Sequence, residues 1–157
     1  MNKRTALTSF AILLLALVVG SVNAEERPLP EGFCEWKVTD FEIKEPICGL
    51  TGDAERGRII AADSPLGNCL ACHIMPIPEE EFQGTVGPPL MGVGARYSEG
   101  AIRLRVVDEQ QINPMTIMPG FYADPRKANR VADEYFGKTF LTAQQVEDVV
   151  AYLRTLK

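Results

Sequence analysis

Cys69-Leu70-Ala71-Cys72-His73 places two thiols three residues apart and follows them at once with the only histidine in 157 residues. In this spacing each thiol can add to one vinyl group of a porphyrin and hold it as a thioether, while the imidazole lies under the iron. The short loop must reach two vinyl groups on one ring edge and still present the imidazole to the metal. The motif predicts one covalently bound haem c, with Cys69 and Cys72 as thioether positions and His73 as proximal iron ligand. Two other chemistries use a Cys-x-x-Cys pair. A zinc site draws on four nitrogen or sulfur ligands, usually in paired spacings. Cys34 and Cys48 could complete such a set, but they show no paired spacing of their own. A thioredoxin-like redox pair follows a strand in a βαβ pattern, and no such pattern is visible here.

With His73 used on one side of the iron, no second imidazole exists in the chain. The opposite ligand is then a methionine, a lysine, a water, another oxygen donor, or nothing. Met75 lies two residues past the proximal ligand and cannot reach the opposite face. Met91, in Leu90-Met91-Gly92-Val93-Gly94, reads as a packing residue. Met115 and Met118 both lie in Asn113-Pro114-Met115-Thr116-Ile117-Met118-Pro119-Gly120. Pro114 and Pro119 fix backbone angles around them, and Pro119 keeps Met118 out of the helical region. This favours Met118 over Met115 as distal iron ligand. A thioether there stabilises ferrous iron and raises the reduction potential. Two filled axial positions leave no vacancy for oxygen or substrate, so the chemistry left to the chain is one-electron transfer.

Such a site needs elements to position it. The clearest is a C-terminal helix, where Thr142 and Gln145 have capping-box spacing and Val146, Val149, Val150, Leu153 and Leu156 recur at helical period. Glu147, Asp148, Arg154 and Lys157 are assigned to its solvent face. A first helix is expected from about Asp53 to Ala62, with Thr51 or Asp53 as cap. Gly57 within it costs helix propensity, which a close helix crossing would explain. A second helix is expected from Ser98 through about Val107, although Ile102, Leu104, Val106 and Val107 give no clean stripe. Asp124-Pro125 opens a possible short helix toward Phe136, ended by Gly137. Ile74 to Leu90, rich in proline, reads as loop, with Glu79, Glu80 and Glu81 as a solvated acidic tip. The fold class expected is all-α.

The ends and the composition add a compartment. Residues 1–24 read as a secretory signal: Lys3 and Arg4, an apolar run from Ala11 to Gly20, then the small-residue triplet Val22-Asn23-Ala24. An uncleaved membrane anchor is the competing reading, and the short apolar run favours cleavage. Removal leaves 133 residues and shifts the net charge from −5 to −7, because two bases and no acid are lost. That balance gives no general nucleic-acid footprint. Disulfides persist outside the cytoplasm. Cys34 and Cys48 form an even remainder there and are expected to pair, which would stabilise by about 3 kcal/mol in the chain-entropy picture. A redox or partner-linking thiol is the alternative. The expected organisation is a signal peptide (1–24), a mostly irregular N-terminal extension (25–50) and a haem domain (51–157).

Gly52-Asp53-Ala54-Glu55-Arg56-Gly57 ahead of Cys69–His73, followed by a Met-Pro loop and a C-terminal helix, resembles the mono-haem class I cytochromes c. A narrower match runs from Gly84 to Tyr122. It comprises Gly84-Thr85-Val86-Gly87-Pro88-Pro89-Leu90, Gly92-Val93-Gly94-Ala95-Arg96-Tyr97-Ser98, Val106-Val107-Asp108 and Asn113 to Pro119. These segments are similar to the SoxX family, the small cytochrome subunits of the SoxAX complexes of bacterial sulfur oxidation. The resemblance implies a periplasmic subunit paired with a SoxA-like cytochrome. In that family the complex oxidatively joins thiosulfate to a cysteine of the SoxYZ carrier. Catalysis is expected on the SoxA partner, and SoxX carries electrons away through a haem with His73 and Met118 as axial ligands. No catalytic residue is carried over to this chain. Cys34 and Cys48 lie outside the matching segments. Arg96, Arg103 and Arg105 could reach haem propionates or a partner, and read first as exposed helix charges. Two other jobs fit the motif: a free cytochrome c shuttle between respiratory complexes, or a peroxidase or ligand-sensing protein with an open coordination site.

Overall fold

In the computed structural model, which describes residues 29–127 and 131–157, Asp53 opens helix α1 (Ala54–Ala62) by accepting hydrogen bonds from the amides of Glu55 and Arg56 at 2.9 and 3.0 Å. These amides have no partner inside the helix, so a carboxylate there satisfies them. A one-turn helix α2 (Val93–Arg96) follows the haem motif and its loop. Ser98 then caps α3 (Glu99–Asp108), its hydroxyl accepting from Ala101 N–H at 3.1 Å. Helix α4 (Ala143–Thr155) starts with the complete capping box. Thr142 Oγ1 accepts from Gln145 N–H, and Gln145 Oε1 accepts from Thr142 N–H at 2.8 Å. The described residues form no strand, only an isolated bridge between Thr39 and Glu42. The fold is all-α, as the sequence leads one to expect. None of the described helices is long and apolar enough to cross a membrane. Residues 1–24, read from the sequence as a secretory signal, lie outside the described residues.

Helices α1 and α4 cross at backbone contact. A Cβ on Gly57 would lie 1.8 Å from the carbonyl oxygen of Asp148, so the helix-weakening glycine is what allows the approach. Val146, Val149, Val150 and Leu153 of α4 pack there with Ile60 and Ala61 of α1. Helix α3 buries Ile102, Leu104, Val106 and Val107 together. Its missing stripe has a physical cause: the helix is covered on more than one side. Helix α4 packs against it. The N-terminal extension also packs against it, through Ile43 N–H donating to Gly100 O at 3.1 Å.

Glu147 and Asp148 are not on a solvent face. They are only 3% and 2% exposed, because each meets an arginine from another helix. Arg103, 1% exposed and therefore no surface charge either, donates through Nε to both Glu147 oxygens at 2.8 and 3.1 Å. Arg103 Nη1 and Nη2 reach Ile43 O at 2.9 Å and Glu99 at 2.6 Å. Arg56 donates through Nε and Nη2 to the two Asp148 oxygens, both at 2.9 Å. Asp53 N–H and Gln144 Nε2 also donate to Asp148 Oδ1, at 2.8 and 2.9 Å. Burial pushes the Asp148 carboxyl up, but the Arg56 hydrogen bond and its neighbours outweigh this and hold it below the usual carboxylate range.

The helix expected from Asp124 toward Phe136 is reduced to one 3-10 turn, Asp133–Tyr135. Part of it, residues 128–130, lies outside the described residues. Asp124 instead accepts from the Arg126 amide and guanidinium at 2.8 to 3.1 Å, a local turn that competes with helix. The extension is fastened to the helical body. Cys34 and Cys48 are disulfide-bonded. Cys34 N–H donates to the Tyr122 hydroxyl at 2.8 Å, Trp36 Nε1–H donates to Tyr122 O at 3.1 Å, and Phe33 stacks on the Tyr122 ring.

Candidate functional site

Residues Cys69–Ala71 form a single 3-10 turn, which Cys72 N–H closes by donating to Cys69 O at 3.1 Å, and His73 N–H donates to the same carbonyl at 2.9 Å. A second chain segment clamps this turn. Gly84, Gly87 and Leu90 donate their amides to the carbonyls of Leu70, Cys72 and Ile74 at 2.7, 2.8 and 2.9 Å. These bonds hold the proline-rich loop against the motif. A Cβ on Gly87 would sit 2.2 Å from the His73 ring, so glycine lets the imidazole lie against backbone. The ring is oriented by Pro88 O, 2.7 Å from Nδ1. With the Nδ1 proton donated to that carbonyl, Nε2 carries a free lone pair for a metal.

Cys69, Cys72 and His73 line a cavity of about 980 Å³. Its walls include Leu66, Val106, Phe121, Val149 and Leu153, an apolar lining that suits a large flat cofactor. Met118 lines the same cavity. Its amide donates to Thr116 Oγ1 at 3.1 Å, and Thr116 N–H donates to Asn113 O at 3.0 Å, so the loop is held by its own polar groups. Met115 is 87% exposed and does not line the cavity. Met75 is buried in the core. Met91 does line the cavity, at 46% exposure, and so differs from the packing residue expected. It follows directly on Leu90, whose amide donates to Ile74 O at 2.9 Å.

Competing uses of the Cys-x-x-Cys pair lose support. Cys34 and Cys48 are spent on each other. No group of three or more His, Cys, Asp or Glu among the described residues could hold a metal ion. Burial pushes the Cys69 thiol up to about 11, whereas reactive redox thiols depend on a lowered value. The arginines divide. Arg103 is taken by Glu147. Arg96 donates to Met91 O and Pro89 O at 2.7 and 3.3 Å, bracing the loop beside His73. Arg105 lines the cavity and has a buried Nε–H with no acceptor among the described residues. The acidic tip is only partly free, since Glu79 pairs with Arg58. The residues present fit a covalently held haem: two thiols, a histidine with one nitrogen to spare and a glycine cradle beneath its ring.

Sequence reasoning missed the clamp from Gly84 to Leu90. Its signal was the three-residue spacing of Gly84, Gly87 and Leu90 around Pro88 and Pro89.

A family model of cytochrome c matches residues 54–157. Among solved structures, a chain in the crystal structure of SoxXA from P. pantotrophus is 37% identical, with a TM-score of 0.71. The match covers 78% of this chain and 95% of that one. No curated protein matches the sequence.

Proposed function

The chain belongs to the cytochrome c family, and from that premise we propose that it is the electron-transfer subunit of a periplasmic SoxAX-type complex. Cys69 and Cys72 take the thioether positions, His73 the proximal iron position and Met118 the distal one. Cys34 and Cys48 serve only as a staple. The reading is carried by one observation: a single cavity gathers both thiols, the histidine and Met118 while leaving Met115 in solvent.

Bound haem supplies one-electron exchange at its iron. The chain's own residues do the rest. Pro88 O takes the Nδ1 proton and fixes which histidine nitrogen faces the cavity. Gly87 gives the ring room. The Met118 thioether favours the ferrous state and sets a high potential. The apolar wall excludes water, which keeps ligand exchange and side reactions slow.

The partner proposed is a SoxA-like cytochrome, in keeping with the SoxXA complex to which the matched chain belongs. Catalysis, the oxidative joining of thiosulfate to a SoxYZ cysteine, belongs to that partner, and this chain removes the electrons. Two measurements test the proposal. The exported protein, boiled in detergent and run on a gel, should stain for covalently bound haem at its mature mass. On a sizing column it should co-elute with a SoxA-like haem protein and be reduced when thiosulfate and carrier are added. A haem-stained band that stays monomeric beside that partner would favour the free shuttle instead. A colourless band would end the haem assignment itself.

A further inference from the structure

Two arms of the N-terminal extension meet at a tight turn. Thr39 and Glu42 exchange both backbone hydrogen bonds, N–H to O at 2.9 and 3.1 Å. Asp40 and Phe41 between them adopt φ of 55° and 61°, the left-handed pair that a two-residue hairpin turn demands. In a regular hairpin the ladder would continue to Lys37 and Lys44. Here these two do not pair, and the arms part around a cavity of about 350 Å³. Its floor is Trp36, Ile43, Pro46 and Ile47, of which both isoleucines are only 2% exposed. Its rim carries Glu35, Lys37, Lys44 and Glu45. The first arm runs straight, with Glu35 and Lys37 exposed and Trp36 and Val38 half-buried. That alternation is the pattern of a strand with one face packed. Thr39 N–H points at the second arm, and the same alternation turns the amides of Lys37 and Glu35 that way. Yet residues 35–38 give and receive no backbone hydrogen bond among the described residues, and the amides of Lys44 and Glu45 across the cleft are equally free.

We propose that this cleft receives an extended segment of the SoxA-like partner, which pairs its backbone with Glu35 and Lys37 and lays an apolar side chain on the floor of Trp36, Ile43 and Ile47. The inference rests on the partner reading above. An open row of amides and carbonyls is a template for a further strand. In such strand addition the main-chain bonds give affinity and a side-chain pocket gives specificity. Charge narrows the occupant. Lys44 is paired with Asp40, and Glu35 with Arg126. Lys37 and Glu45, one on each arm, have no counterion among the described residues. The occupant therefore turns an acid toward Lys37 and a base toward Glu45, with the apolar residue between them. A second copy of this chain is disfavoured by its like net charge of −5. The cleft shares no residue with the haem cavity. A segment seated there keeps the partner at high local concentration and leaves the cavity mouth free for electron exchange.

The test is amide hydrogen exchange of the haem-loaded full chain, alone and in complex with the SoxA-like partner. In the free chain the amides of Glu35 and Lys37 should exchange fast at every protein concentration. In the complex they should slow by about tenfold or more, as newly bonded amides do. Lys37→Glu should weaken the complex by about tenfold, because it sets like charges together, and Lys37→Arg should bind as wild type does. The Lys37 side chain bonds nothing else among the described residues, so neither change threatens the fold. A complex that leaves both amides unprotected would overturn the inference while keeping the partner. Protection already present in the free chain would overturn it too. Growing with concentration, it would name a second copy as the occupant; constant, it would name a segment of the chain itself. Equal binding by Lys37→Glu and wild type would equally overturn it. Failure of the two proteins to form any complex would instead sink the partner reading, and this inference with it.

Discussion

Met118 and Met115 are three residues apart in one loop, yet only Met118 lines the cavity. Pro119 fixes the backbone immediately after Met118, and Thr116 Oγ1 holds its amide. A ligand held this way loses little freedom on binding, so it should not be replaced by its neighbour when removed. Met118→Ala is therefore expected to abolish the near-infrared band of thioether-to-ferric charge transfer. It should lower the potential by on the order of 0.1 V, a modest part of the roughly 0.8 V that axial ligands span. Met115→Ala should change neither. Electronic spectra and potentiometry of the two variants check this, and loss of the band in Met91→Ala alone would move the distal assignment to Met91.

At the level of elements, the α1–α4 crossing carries both packing and charge. Gly57→Ala would drive a methyl group into the Asp148 carbonyl, where a Cβ already lies 1.8 Å away. The backbones would have to separate, at a cost of about 1–3 kcal/mol as in other overpacked cores. This should offset or outweigh the gain in helix propensity of about 1 kcal/mol, for a net loss of up to about 2 kcal/mol that urea unfolding measures. The same crossing explains what the sequence reveals and what it hides. Caps, helical period and the Gly57 anomaly are local, so α1, α3 and α4 are legible from neighbouring residues. The fate of Glu147 and Asp148 is not, because their partners lie on other helices, 44 positions away for Arg103 to Glu147 and 92 for Arg56 to Asp148. Arg103, flanked by Ile102 and Leu104 in α3, was the available hint. Asp148 also gives a sign for pH. Its folded value lies below the ordinary one, so its stabilisation is complete above about pH 4 and is lost as pH falls through the folded value. Asp148→Asn should cost about 1–3 kcal/mol at pH 7, with the gap to wild type narrowing by pH 3. A gap of equal size at both pH values would show that ionisation of Asp148 contributes nothing.

Across the whole molecule, the extension and the haem cavity divide the labour. Residues 29–50 contribute nothing to the cavity lining. They instead cover the buried ion pair, through Ile47 N–H donating to Glu147 Oε1 at 2.8 Å and Ile43 O accepting from Arg103. They also tie to Tyr122, whose chain neighbour Phe121 does line the cavity. The disulfide between Cys34 and Cys48, 14 positions apart, restricts this cover in the unfolded chain as well as the folded one. Replacing both cysteines with alanine should thus destabilise by about 3 kcal/mol. For a domain of this size that lowers the thermal midpoint by roughly 10 °C. Because the cover and the cavity share no residues, the same variant should keep its haem stain and its thioether band unchanged at 25 °C. An unaltered midpoint would deny the staple its structural role. Loss of the band in a protein that still melts cooperatively would show that the cover also holds the Met118 loop in place through Tyr122.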